Sequence, residues 1–207
     1  MPKTHFSRVG GQQWVDSFYR PLVQTTGNVF YVDSNGGGST SGPGYSPETA
    51  FTTLSSAAAA CTANNGDVIY VMEGHAETIS AAAGVDLTVA GVRVVGLGHG
   101  ASRPTFTLTA AASTFAVGAS SLHIENLLFV ADFTNGVTAG VDIDAAHTDV
   151  YFKRCEWRAA ASTKEFLKGV TITEGAGRIT FDECLFTEVT GGDATAAVFT
   201  ESTAGLI

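Results

Sequence analysis

Three stretches of this 207-residue chain align without a gap, and together they leave few folds open. They begin at positions 122 (LHIENLLF), 150 (VYFKRCEW) and 179 (ITFDECLF), so they recur at a nearly constant interval. Each has apolar residues at its first, third, sixth and eighth positions. Leu122 therefore aligns with Val150 and Ile179, Ile124 with Phe152 and Phe181, Leu127 with Cys155 and Cys184, and Phe129 with Trp157 and Phe186. Apolar residues two apart have the period of a strand, and the change of phase before the sixth position predicts a bend onto a second face. Recurrence of like residues at a fixed period of this size is the mark of a solenoid, in which each coil buries its apolar row against the next.

A second ladder of apolar triplets starts at Leu87, Phe115, Val141, Val170 and Ala197, with steps that match those of the first ladder closely. Two ladders of matching period predict an all-β chain: a right-handed parallel β-helix with rungs at the ordinary strand spacing of about 4.8 Å. A leucine-rich repeat can have a unit of this length. It is set aside because the chain has no L-x-x-L-x-L-x-x-N run and no helical pattern between rungs.

The low charged fraction of 15% and the 24 glycines suit stacked coils with small residues at the bends. A net charge of −9 argues against nucleic acid as a partner, because a phosphate backbone needs a basic face. No apolar leader follows Met1-Pro2-Lys3, and the longest uncharged run, from Pro104 to Leu122, is rich in Thr and Ser, so neither a secretory signal nor a membrane span is expected. Three cysteines are too few for a disulfide framework. Cys155 and Cys184 share one inward column and are expected to be free thiols acting as small apolar fillers, although their spacing also admits a disulfide.

The chain divides into residues 1–28, which stand outside both ladders, and a β-helix domain over 29–207. The first segment carries Phe6, Trp14, Phe18 and Tyr19. It reads either as a strip folded back on the barrel or as an arm whose Trp14, Phe18 and Tyr19 anchor it on a neighbouring subunit, since such residues dominate interface energetics. A strand at residues 29–32 leads to a glycine-rich loop. Asp33 and Asn35 there resemble the start of a calcium loop, but the later acidic ligands are missing, and no Lys-Ser/Thr follows to make a phosphate cradle. A capping helix is expected over about 46–63, with Ser46 as N-cap, Pro47 at the first helical position, Glu48 facing the helix dipole and an apolar stripe of Phe51, Leu54, Ala58 and Cys61. It would cover strand edges at the barrel's N-terminal end. No such cap follows the last triplet, which predicts that another molecule or another copy covers the last coil.

The order F-Y-V-D, a Gly/Ser loop, S-P-E-T-A-F-T-T-L, a small-residue helix and G-D-V-I-Y-V-x-x-G over residues 29–79 resembles the opening of right-handed β-helix proteins of the pectate-lyase-like superfamily, including phage tailspike-type proteins. The resemblance implies the fold. For function it leaves open lyases, hydrolases, adhesins and non-enzymatic virion parts.

Polysaccharide hydrolysis needs two carboxyl groups on one cleft, and lysis needs a base near carboxylates. Asp142 and Asp144 flank inward Ile143 and are the candidates, beside Asp149, Glu125, Glu156, Asp182 and Glu183; the simpler expectation for Asp142 and Asp144 is a solvated outer strand face. None of the superfamily's lyase motifs maps onto them. Five of the eleven basic residues, Lys153, Arg154, Arg158, Lys164 and Lys168, fall within sixteen positions. They form either a solvated edge or, through Arg154 and Arg158 above all, a docking patch for an acidic partner. His75, His99, His123 and His147 recur at an even spacing, but their places on turns and outer faces should keep them apart, so no metal and no cofactor is expected. The leading expectation is a non-enzymatic virion protein, a homotrimeric subunit that decorates or stabilises a phage capsid and contacts the major capsid protein or other virion subunits. The alternative is a carbohydrate-active or glycan-binding tailspike-type β-helix.

Overall fold

The computed structural model describes residues 25–35, 43–187 and 196–201. Its strands form three sheets, all with parallel pairing. The first contains β1 (Val29–Val32), β2 (Val68–Val71), β5 (Arg93–Gly96), β8 (His123–Glu125), β11 (Thr148–Lys153) and β14 (Gly177–Asp182). The second contains β3 (Ala76–Ile79), β6 (Thr105–Leu108), β9 (Leu128–Ala131), β12 (Glu156–Ala159) and β15 (Leu185–Thr187), and the third β4 (Val85–Asp86), β7 (Phe115–Val117), β10 (Val141–Ile143), β13 (Lys168–Ile172) and β16 (Ala196–Thr200). The chain visits the three sheets in turn and returns one rung further on, which makes a parallel β-helix.

The register is the one the first ladder predicts. Ile124 pairs with Phe152 and Phe152 with Phe181, while Phe129 pairs with Trp157 and Trp157 with Phe186. Phe152 lies parallel to Phe181 at 5.3 Å, and Trp157 is sandwiched between Phe129 at 5.0 Å and Phe186 at 4.6 Å. The phase break before the sixth position is a real bend. Asn126, Arg154 and Glu183, all fifth in their stretches, sit at φ of 58°, 51° and 53°. One left-handed residue turns the strand direction without lengthening the coil. The bend of one coil packs directly on the coil below. A Cβ on Gly96 would lie 2.3 Å from the Asn126 carbonyl oxygen, and the Asn126 amide donates to the Gly96 and Gly98 carbonyls at 2.9 and 3.0 Å.

Three expectations need correction. The helix is shorter than 46–63. Pro47–Thr49 is a single 3-10 turn, and α1 runs only over Leu54–Ala60, with the Thr53 hydroxyl accepting from the Ser56 amide. The reason is Phe51, whose amide donates to Tyr31 and whose carbonyl accepts from Asp33, so β1 captures the backbone in an extended form and splits the helix. Leu54, Ala57 and Ala58 still bury one face against the first coils. The first triplet is shifted by two positions, since Val85 rather than Leu87 pairs with Phe115. The last is shifted by one. Val198 pairs with Val170, and Phe199 pairs with the outward Thr171, where its ring lies 3.7 Å from the Lys168 ammonium.

Candidate functional site

Residues that alternate with the buried columns form the outer walls, and the first wall is charged. Arg93, His123 and Tyr151 occupy one outward row, and Glu125, Lys153 and Asp182 occupy the next. Glu125 is nearly buried and is held between two guanidinium groups. Arg93 donates to its Oε2 at 2.7 Å and Arg154 donates to its Oε1, so its carboxyl is held below the usual range despite the opposing effect of burial. His123 packs edge-on against Tyr151 at 4.7 Å. Burial first, and then the Arg93 charge, bring its imidazole down to about 4, so it is neutral at ordinary pH. Tyr151 donates to Asp182 Oδ2 at 2.5 Å, and the Lys153 ammonium lies 3.6 Å from the same oxygen.

The same construction recurs around the barrel. Arg178 grips Asp149 with two hydrogen bonds of 2.5 Å, Arg103 donates to Glu156 at 2.8 Å, and Lys164 donates to Asp132 at 2.6 Å. Of the two proposed docking residues, Arg154 is spent on Glu125, and Arg158 stands half-exposed 3.9 Å from Glu156. Lys153 lies on the first sheet, Arg158 on the second and Lys168 on the third, so the run of five basic residues is distributed around the barrel.

The third wall is different. Asp86, Ala116, Asp142, Thr171 and Phe199 form one outward row across five rungs. Asp142 is half-buried, more enclosed than a solvated strand position. Its carboxyl is pushed up by burial, then by the negative charges of Asp144 and Glu201, against the pull of Lys168. Asp86 is pushed up by burial and Asp144, against His147. The topology thus brings Asp142 and Asp144 together, as their spacing suggested, and adds Asp86 and Glu201, which the sequence did not single out.

Of the four evenly spaced histidines, His75 is buried. Its Nδ1 accepts from the Ser34 amide at 3.0 Å and its Nε2 faces Glu77 at 3.2 Å. His123 belongs to the ion-paired wall, and no group of three or more His, Cys, Asp or Glu among the described residues is placed to hold a metal ion. Trp14, Phe18 and Tyr19 lie outside the described residues. At the C-terminal end of the described core, Trp157, Phe166 and Phe186 line a small cavity of about 30 Å³.

Three parallel sheets visited in rotation define the chain as a protein of the parallel β-helix class. No family model matches it, and no curated protein sequence does. Among solved structures it is similar to a rhamnogalacturonan lyase at a TM-score of 0.38 and 13% identity, over 86% of this chain and 63% of that one. The chain thus spans less than two thirds of that lyase's length.

Proposed function

We propose that this β-helix is a non-enzymatic structural subunit of a virion, a capsid decoration or stabilising protein that acts as a stiff, preformed block. The observation that carries the reading is the direction of its ion pairs. Arg93 to Glu125, Glu125 to Arg154, Asp132 to Lys164, Asp149 to Arg178 and Lys153 to Asp182 each join one coil to the next. Charges committed to neighbouring coils brace the walls lengthwise and leave little free valence for a substrate. Attachment then falls to residues 1–28, with Trp14, Phe18 and Tyr19 as apolar anchors on the major capsid protein or another virion subunit, and to Arg158 as a half-exposed cation. The test compares full-length protein with a chain lacking residues 1–28 for binding to particles that lack it. Full-length protein should bind stoichiometrically and the shortened one should not, both keeping the β-sheet circular dichroism of the helix. Equal binding by both forms, or binding by neither, overturns the reading.

One observation favours a second reading, a carbohydrate-active β-helix. Asp142 has its carboxyl pushed up by burial and then by the charge of Asp144, and two neighbouring carboxyls of which one is raised are the arrangement that acid and base catalysis by a carboxyl pair uses. Glycan cleavage would then appear in a reducing-end or unsaturated-product assay on acidic polysaccharides. It should fall about a hundredfold or more in Asp142→Asn and Asp144→Asn.

A further inference from the structure

Cys155 and Cys184 occupy equivalent places on adjacent coils, framed by the in-register pairs Lys153 with Asp182 and Glu156 with Leu185. The Leu185 amide donates to the Cys155 carbonyl at 2.9 Å, which locks the two backbones side by side at this point. Parallel neighbours lie about 4.8 Å apart, inside the Cα separation of about 4.4 to 6.8 Å that a disulfide spans. Cys155 belongs to the core cluster and Cys184 packs against it, and both thiols are free. Each donates to a carbonyl of the preceding coil at 3.6 Å, Cys155 to Ile124 and Cys184 to Phe152. The two differ in access: Cys155 is 1% exposed, whereas Cys184, on the last described coil, is only partly buried.

We propose that Cys155 and Cys184 are a redox pair that forms a covalent staple between the last two described coils when the protein meets a low-molecular-weight disulfide. Cys184 is the more accessible of the two, and the neighbouring Cys155 draws its thiol down while burial pushes the Cys155 thiol up, so Cys184 is the first to react. The Cys184 thiolate attacks one sulfur of the oxidant RSSR. A mixed disulfide forms, the RS–SR bond breaks and RS⁻ leaves with a proton from solution. Cys155, on losing its proton, attacks the Cys184 sulfur and expels the second RSH. The two protein thiols are oxidised and one disulfide is reduced to two thiols, which closes the balance. The bond ties the coil of β14 and β15 to that of β11 and β12, at the end of the described barrel where Phe181 and Phe186 are only partly buried.

Cys61 is the internal control, since burial pushes its thiol up to about 12 and it caps α1 at the other end of the barrel. The full chain is incubated with oxidised glutathione, quenched with iodoacetamide in denaturant so that every remaining thiol is alkylated, digested and mapped by mass spectrometry. The expected product is one link between the peptides of Cys155 and Cys184, two hydrogens lighter than the free pair, with Cys61 alkylated. Cys155→Ala should stop at one glutathione on Cys184. Hydrogen exchange over residues 177–187 should slow about thirtyfold or more in the oxidised wild type, the effect typical of a disulfide closing a loop of this size. Wild type that retains glutathione on Cys184 without the link, both thiols still open to alkylation, a link through Cys61, or unchanged exchange overturns the proposal.

Discussion

Phe152 shows what one residue contributes to this core. It is fully buried, lies flat on Phe181 at 5.3 Å and meets the edge of Trp157 at 5.8 Å, so its loss opens a void between two coils. Phe152→Ala should lower the unfolding free energy by about 3 to 5 kcal/mol in urea titrations. A loss below about 1 kcal/mol would mean that the coils close over the gap. His123 makes a different prediction. Its folded pKa, about 4, lies below the ordinary 6.5, so between these values the unfolded chain takes up a proton that the folded chain refuses. Stability is therefore complete above about pH 6.5 and declines as pH falls towards 4. Glu125 acts in the same direction lower down: its carboxyl is held below the ordinary range, so its contribution is present above about pH 4.5 and is lost as pH falls through its folded pKa. Urea midpoints measured from pH 7.5 to 4.5 should fall in the wild type and stay nearly level in His123→Gln. Parallel curves would remove His123 as the cause.

At the scale of the strand and its bend, the left-handed residues set the coil. Arg154 at φ 51° pairs with Glu125, so two effects meet at one position and two substitutions separate them. Asn and Val both lose the ion pair, but Asn tolerates this backbone and a β-branched residue does not. Arg154→Val should therefore be about 1 to 3 kcal/mol less stable than Arg154→Asn in the same denaturation assay. Equal stabilities would show that the bend relaxes. This geometry was legible in the sequence because the bend interrupts a period of two, and the phase break places it to the residue. The misread elements have physical causes as well. A shift of two positions keeps Val85 and Leu87 on the same face, so pattern alone cannot choose between them. At the last rung, the step from Ala197 to Val198 reverses the faces, and no later rung of the ladder fixes it. The helix start was a sound local signal overridden by the pairing of Phe51 with β1. The coil-to-coil charges were also legible, since Glu125 and Arg154, Asp149 and Arg178, and Lys153 and Asp182 are each separated by one repeat of the first ladder. The surroundings of Asp142 were not, because Asp86 and Glu201 come from the two coils whose register the pattern left open.

For the molecule as a whole, the two ends of the described barrel differ. At the first, α1 lays Leu54, Ala57 and Ala58 over the core. At the last, Phe181 and Phe186 are only partly covered and Val198, in the inward register of β16, is 37% exposed. Apolar surface in this position gains about 25 cal/mol for each Å² removed from water, and a second apolar layer, from chain or from partner, is what removes it. We propose that the layer comes from two further copies about a three-fold axis, since closed symmetry satisfies every copy equally and leaves no edge for open-ended growth. Light scattering should then give three times the chain mass of 21.4 kDa. Val198→Glu places a charge in that interface and should release monomers whose earlier coils keep their hydrogen-exchange protection, because each of strands β5 to β9, within residues 93–131, lies between two strands that neither belong to the coil of Val198 nor pair with β16. A wild-type species with the mass of a single chain at every concentration would overturn the trimer, and a trimer that survives Val198→Glu would overturn its assignment to this end of the barrel.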